Sequence, residues 1–356
     1  MKKTVILFIK LFLLCSSFLI ANYNHNSDII NSNQFDYYDS LYHQSLSYIE
    51  DDQVEQSIIL LTEIILKQRT YQKQDDILIM NARYELGQIY LSRSLNYDKA
   101  IIQFEHIFNN VYASYESEKI INQYFRTTLT VDVKNDETPV TIADKNTELK
   151  IRELIQARYP DHGILGEEFE GTNIDSEYLW VIDPIDGTLS FIAGHKDFGT
   201  LIALLHNNKP ILGIINCPMH KERWVGVSGE QTTMNQKKVQ TSSIQTLDKS
   251  YVCTSGLYFD NDHLRKGFNK IIEQTKYHRF GGDCYMYGMI ASGLIEIVIE
   301  DTLKAHDYMA LIPIIEGAGG KVTDKYGKIV TIHSEGSIVA SANDQLHKEL
   351  IDIINN

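Results

Sequence analysis

The stretch Trp180-Val-Ile-Asp-Pro-Ile-Asp-Gly-Thr-Leu-Ser-Phe191 constrains this chain more than any other. Its apolar run ends at Asp183, Pro184 stiffens the exit, Asp186 follows, and Gly187-Thr188 opens what the pattern predicts to be a helix. Two carboxylates offset by three residues on a stiff loop can bridge neighbouring hard cations. The free amides of Gly187 and Thr188 can hold a phosphate at the helix start. A lone Asp-Pro would be an ordinary capped loop; its companions elsewhere in the chain make it more than that.

Those companions are four further acids. Thr141-Ile-Ala-Asp144 precedes an amphipathic helix and is a sufficient capping box by itself. Gly166-Glu167-Glu168 follows the apolar Ile164-Leu165, which puts paired carboxylates beyond a strand end, where α/β sheets hold ligands; alone it would be a solvated acidic turn. Asp307 heads a helix that ends Glu316-Gly-Ala-Gly-Gly320, where simple capping would explain it. Taken together, Asp144, Glu167, Asp183, Asp186 and Asp307 all precede helices or follow strands, where one sheet can bring them together. Converging carboxylates repel unless cations neutralise them, so the set predicts a site for two or more Mg²⁺ ions, suited to in-line phosphoryl chemistry.

At 356 residues the chain is long enough for two domains, and its formal charge of -14 excludes non-specific binding to nucleic acid or to an anionic membrane. Met1-Lys2-Lys3 followed by the apolar segment Thr4 to Ile20 has the form of a bacterial secretory signal over residues 1–22. Export to the periplasm is the expectation, with retention as an inner-membrane anchor as its competitor and a cytoplasmic chain if the segment does not act. The four cysteines, Cys15, Cys217, Cys253 and Cys284, leave an odd number once such a signal is removed, so no disulfide framework can be read.

From about Phe35 to Asn110 apolar residues recur at three- and four-residue spacing with no proline, which predicts helical hairpins over 35–112. Leu86, Gly87, Tyr90, Ala100 and Phe104 occupy the small and aromatic positions of a tetratricopeptide-like repeat. Two such units are fewer than an array needs, so the module must lean on the body or on a protein partner. After Tyr112 the texture changes to an α/β body over 115–354. Strands are predicted around Val131-Asp-Val-Lys, Pro139-Val-Thr, Trp180–Asp183, Thr200–Leu205, Ile211–Ile215 and Ile295–Glu300. Helices are predicted over Glu118–Arg126, Glu148–Tyr159, Tyr285–Ser292 and Tyr308–Gly317.

The order Lys134-x-Asp-x-Thr-Pro-Val-Thr-x-Ala-Asp144, Gly166-Glu-Glu, Ile182-Asp-Pro-Ile-Asp-Gly-Thr188 and Asp307 to Gly320 resembles the inositol monophosphatase family of Mg²⁺-dependent phosphatases. The resemblance covers about two-thirds of the chain, from about Glu118 onward. It implies a layered α-β-α-β-α sandwich, where periodicity alone gives only α/β. It also implies that Glu167, Asp183 and the carbonyl of Ile185 hold a first metal, that Asp183, Asp186 and Asp307 hold a second, and that a weaker third touches Glu167. Glu167 and the Thr188 hydroxyl would orient the attacking water, with Asp144 holding Thr188, and Gly187 and Thr188 would bind the phosphate.

Within that family, Phe198-Gly-Thr-Leu-Ile-Ala-Leu-Leu205, Glu222-Arg-Trp224, Arg279-Phe-Gly-Gly-Asp-Cys-Tyr285 and Leu303-Lys-x-x-Asp-Tyr308 resemble the histidinol-phosphatase branch. The implied substrate is histidinol phosphate, met by Asp186, Arg279, Asp283 and Glu300. Leu189, Asn216-Cys217 and His306 depart from that branch: a basic residue, Asp-Gln and an aromatic residue are expected there. His306 either borders the substrate or is a packed ring. The enzymatic alternatives are an inositol-1-monophosphatase or a broader sugar or nucleotide phosphatase. The alternative from another class is a repeat-mediated binding protein with an inactive phosphatase body. A homodimer is the expected self-assembly.

Overall fold

A computed structural model describes residues 40, 41, 43–48, 57, 58, 60, 61, 113–134, 139–257 and 259–356. Contacts within the chain divide it into two units, Met1–Asn96 and Tyr97–Asn356. In the first unit every described residue is helical. The segment 1–22, and most of the repeats predicted over 35–112, lie outside the described residues. Among the described residues no helix is long and apolar enough to cross a membrane.

The second unit begins with helix α1 (Ser114–Tyr124) and a short hairpin, β1 (Val131–Val133) with β2 (Pro139–Thr141). Helix α2 (Ile142–Arg158) then starts on a full capping box: the Thr141 hydroxyl accepts from the Ala143 amide and Asp144 accepts from the Thr141 amide. Next come β3 (Gly163–Gly166), β4 (Tyr178–Asp186), the short helix α3 (Thr188–Ala193), β5 (Gly199–His206), β6 (Lys209–Cys217), β7 (Glu222–Val227), β8 (Thr233–Met234) and β9 (Lys237–Lys238). Strands β3 to β9 form a seven-stranded sheet in sequence order. Only β3 and β4 run parallel in it; each later neighbour is antiparallel.

The remainder builds a second sheet from β10 (Tyr251–Thr254), α4 (Asp262–Gln274), β11 (Tyr277–Phe280), α5 (Asp283–Ala291), β12 (Ile297–Glu300), α6 (Ala305–Tyr308), α7 (Leu311–Gly317), β13 (Lys321–Thr323), β14 (Ile338–Ser341) and α8 (Asp344–Asn355). Its five strands lie in the order β11-β10-β12-β14-β13. Three apolar clusters separate the layers. Ile151 and Ile155 of α2 pack with Trp180, Ile202 and Ile214 on one face of the large sheet. Leu201, Ile215 and Trp224 on its other face meet Tyr287, Ile290, Leu311 and Ile314 of α5 and α7, and through them Val298 and Ala340 of the small sheet. Phe268 and Ile271 of α4 and Leu346 and Leu350 of α8 cover the far face of the small sheet with Ile297 and Val339. The result is helix, sheet, helix, sheet, helix, which is why β4 and β5 are almost wholly buried and read as unbroken apolar runs.

Candidate active site

Strand β4 decides the geometry of the site. In a regular strand, Asp183 and Asp186 would point to opposite faces, because side chains alternate with a period of two. Here Asp183 pairs with Leu201 and Asp186 with Gly199, three steps on one strand against two on the other, so β4 carries one extra residue. That bulge resets the parity and turns both carboxylates to one side. Pro184 fits there because a bulge tolerates a residue without an N–H, and its carbonyl accepts from the Thr200 hydroxyl at 2.9 Å.

The chain then enters the left-handed region at Gly187, with φ 88°, before α3 begins. A side chain at Gly187 would be strained by that φ and would meet the Asp283 carboxylate at 2.8 Å, so glycine is required. Phe191 of α3 packs against Phe125 and Phe198 with ring centroids 5.8 and 5.1 Å away, which fixes the helix behind the phosphate-binding turn proposed from the sequence. The Thr188 hydroxyl lies 3.1 Å from the Ile185 carbonyl and 3.3 Å from Oδ1 of Asp144. The other oxygen of Asp144 is already taken by the Thr141 amide and hydroxyl, so Oδ1 is the one left for Thr188.

Asp183, Asp186 and Asp307 each bring a carboxylate oxygen within 4.8 Å of the others, and Glu167, Asp183 and His306 form a second such group. Asp307 reaches it from α6, where its Oδ2 also caps the helix by accepting from the Lys304 amide at 2.6 Å. Glu167 is positioned from behind. Lys134 donates to Oε1 of Glu167 at 2.7 Å and to Glu168 at 2.8 Å, leaving the second oxygen of Glu167 for other work. Buried Glu148 on α2 accepts from the Glu168 amide and from Arg152, both at 2.7 Å, and Arg152 donates to the Phe169 carbonyl. Gly166 sits against that pair so closely that a β-carbon would lie 1.9 Å from the Glu148 carboxylate. The sequence reading missed Glu148 and Arg152; their only signal is an i, i+4 acid–base pair on the buried side of a helix.

Electrostatics report what these acids lack. Burial pushes Asp183 well above the ordinary carboxylate range, and the charges of Glu167, Asp186 and Asp307 push it further. Burial also raises Asp186 strongly, with Asp283, Asp307 and Glu300 adding to it. Asp307 is raised by burial in spite of neighbouring His306, and Asp144 by burial in spite of its hydrogen bonds to Thr141. Glu168 is pushed up to about 7 by burial even with Lys134 beside it. Burial opposes the charge on Lys134, but its bonds to Glu167 and Glu168 outweigh that and hold it above its usual value. Oδ1 of Asp183 is buried with no hydrogen-bond partner. A carboxylate with one buried, unpartnered oxygen, clustered with two or three other acids, is a poor protein interior but a good cation site, so the donor set fits divalent metal.

The residues expected to meet substrate divide. Asp283 borders the site: it starts α5 at φ 43°, a left-handed angle costly for a non-glycine, and accepts from Ser190 of α3 at 2.6 Å. Glu300 is buried on β12 and accepts from the Ser255 amide and the Tyr287 hydroxyl. Arg279 lies on exposed β11 and donates to Asp197 at 3.4 Å. Of the departures, Leu189 is 71 % exposed, whereas Asn216 is buried, donating to the Ser114 carbonyl and accepting from Arg223. The backbone amide of Cys284 donates to Asp186, and Cys217, Cys253 and Cys284 are all free and buried.

With this geometry in hand, the known relatives can be placed. Residues 105–356 match the profile of the inositol monophosphatase family. The chain is 39 % identical over 245 residues to the bifunctional phosphatase IMPL2, chloroplastic, of Arabidopsis thaliana, covering 66 % of this chain and 71 % of that one. It is 37 % identical over 240 residues to a histidinol-phosphatase of Chlorobaculum parvum, covering 67 % and 92 %. A solved structure of an inositol monophosphatase from Zymomonas mobilis superposes with a TM-score of 0.63 at 36 % identity, covering 70 % and 98 %.

Proposed function

This chain belongs to the inositol monophosphatase family and is a metal-dependent phosphatase, and we propose that it hydrolyses histidinol phosphate to histidinol and inorganic phosphate. The observation that carries the choice of substrate is an acidic wall beside the Gly187 turn. Asp283 packs against Gly187, and Asp283 and Glu300 lie near enough to Asp186 to raise it. Histidinol phosphate carries an ammonium group and an imidazole, and buried carboxylates make their strongest hydrogen bonds to such cations. The 37 % identity to a protein named histidinol-phosphatase supports the same reading.

Enzymes of this family use Mg²⁺, and the acids described above would hold it. Our reading assigns Glu167, Asp183 and the Ile185 carbonyl to one ion, Asp183, Asp186 and Asp307 to another, and Glu167 to a weaker third. Bound there, the metal supplies Lewis acidity for a phosphoryl oxygen and makes a water easier to deprotonate. The chain does the rest. Asp144 draws the Thr188 proton towards itself, which turns the lone pairs of the Thr188 oxygen outward to accept from a water. Glu167, with one oxygen held by Lys134, presents the other to the same water. The amides of Gly187 and Thr188, at a helix start where no intrahelical acceptor reaches them, bind the phosphate. Asp186, Asp283, Glu300 and Arg279 contact the organic part.

Inositol 1-phosphate is the second reading. A carboxylate such as Glu300 accepts from hydroxyls as readily as from cations, as its bond to the Tyr287 hydroxyl shows, and the Zymomonas mobilis structure is of an inositol monophosphatase. Phosphate release by the Mg²⁺-loaded full chain, measured on histidinol phosphate and inositol 1-phosphate side by side, separates the two. We expect kcat/KM to favour histidinol phosphate by at least about tenfold, the worth of one well-placed charge-assisted contact. Equal or reversed preference would overturn the choice of substrate and leave the phosphatase in place.

A further inference from the structure

Among the groups facing the carboxylates, one is not an acid. His306 follows Ala305 in the single turn of α6 and stands directly before Asp307. One of its ring nitrogens lies within 4.8 Å of a carboxylate oxygen of Glu167 and of one of Asp183. Ligands sharing an ion at bond lengths of about 2.0–2.2 Å sit no more than about 4.4 Å apart, so these three donors are within a small closure of a common ion. Nε2 of His306 is 3.5 Å from Oδ1 of Asp307, too far for a strong hydrogen bond, and no other described residue hydrogen-bonds the ring. The side chain is only 11 % exposed, and the short helix holding it is pinned by the Lys304 amide on Asp307. Asp183, in the same group of donors, has one carboxylate oxygen, Oδ1, that is buried and without a hydrogen-bond partner.

From this we propose that His306 is a nitrogen ligand of the metal site shared with Glu167 and Asp183, and that this site takes divalent transition ions, for which Mn²⁺ serves as the paramagnetic probe, in preference to Mg²⁺. The proposal rests on the metal-site reading above and refines it. An all-oxygen set is what Mg²⁺ binds, and Mg²⁺ keeps its waters and a strict octahedron. Adding an imidazole nitrogen moves a site towards the metals that bind nitrogen well. His306 therefore changes which ion is held at the Glu167 side, while Asp183, Asp186 and Asp307 keep an all-oxygen set on the other. The rival role for the ring is that of a cation paired with Asp307, neutralising the cluster without touching a metal.

The test uses the full chain stripped of metal and titrated with Mn²⁺, read by electron paramagnetic resonance, so that turnover plays no part. Pulsed measurements on the bound ion should show coupling to a directly coordinated imidazole nitrogen, and wild type grown with ¹⁵N-histidine should show the matching isotope change. In His306→Phe the nitrogen coupling should vanish. Its Mn²⁺ affinity should fall about tenfold or more, while its Mg²⁺ affinity, from competition, should move by less than about threefold. Bound Mn²⁺ without nitrogen coupling in the wild type would overturn the proposal and leave the carboxylate site standing. Absence of any bound Mn²⁺ or Mg²⁺ would overturn the site itself. Should His306→Phe fail to fold, the isotope-labelled wild type still decides.

Discussion

The two ends of strand β4 are built on opposite principles. At its start, Tyr178 and Trp180 join an aromatic column in which Tyr159, His162, Tyr178 and His206 stack at centroid separations of 4.7, 4.9 and 4.6 Å. The Trp180 indole donates to Nδ1 of His162, and His206 pairs with Glu177 at 3.1 Å. At its end, Asp183 and Asp186 converge with Asp307 and Glu167, and one buried oxygen has no partner. The first end stacks and pairs aromatic and imidazole groups with one another; the second gathers like charges that a bound cation would neutralise. A strand of nine residues thus carries a packing element and a candidate functional site, and converging like charge tells them apart.

The difference should be largest at Asp183. We expect Asp183→Asn to lower phosphate release by about a thousandfold or more, a loss typical of removing a central electrostatic group. The same change should raise the melting temperature of the metal-free protein, because it removes a buried like charge. Loss of activity together with loss of stability in chelator would show that Asp183 is a structural residue. Next in size, Glu148→Gln removes the charge that holds the Glu167 turn through Arg152. Apparent metal affinity should weaken about tenfold, with most of kcat recovered at high Mg²⁺, as for groups that orient a ligand from behind. An unchanged metal titration would cut Glu148 out of the site.

The effect with no bearing on activity belongs to the aromatic end and appears only against pH. Burial lowers His162 to about 4, below its unfolded value of about 6.5. The unfolded chain therefore binds the proton first, and stability that is complete above pH 6.5 is lost as pH falls towards 4, by at most about 3 kcal/mol. The carboxylates at the other end have the reverse sign. Their raised values mean that the metal-free fold is favoured in acid and loses stability as pH rises past the ordinary carboxylate range. Because the two oppose each other between about pH 4 and 6.5, chemical denaturation of the chelated protein across pH 4 to 8 is compared with that of His162→Phe, which should lose only the acid slope. A variant that keeps the acid slope would move it to another group, of which buried His347, also lowered to about 4, is the first candidate.

Much of the phosphatase unit is legible in the sequence alone. The capping box at Thr141 and Asp144, the apolar runs of β4 to β6 and the acids that end strands or begin helices all follow from local rules, because each depends on neighbours a few residues away. Of the second sheet, only β12 is legible, as the predicted strand Ile295–Glu300. Strands β10, β13 and β14 have only three or four residues, too short to show a period, and they exist because α4, α5, α7 and α8 cover them. The predicted helix Tyr308–Gly317 is divided between the end of α6 and α7, and Asp307 caps the first of these.

The sequence by itself determined that carboxylates would gather and that a cation would have to answer them, because like charges repel wherever the fold puts them. Only the tertiary structure decided that Asp183 and Asp186 share a side. That depends on one extra residue in β4 measured against β5, a count that no local pattern contains. Tertiary packing also turned His306 from a substitution in a motif into a ring facing Glu167 and Asp183. Glu167 comes from the end of β3 and His306 from α6, and elements 139 positions apart meet only when both sheets are built.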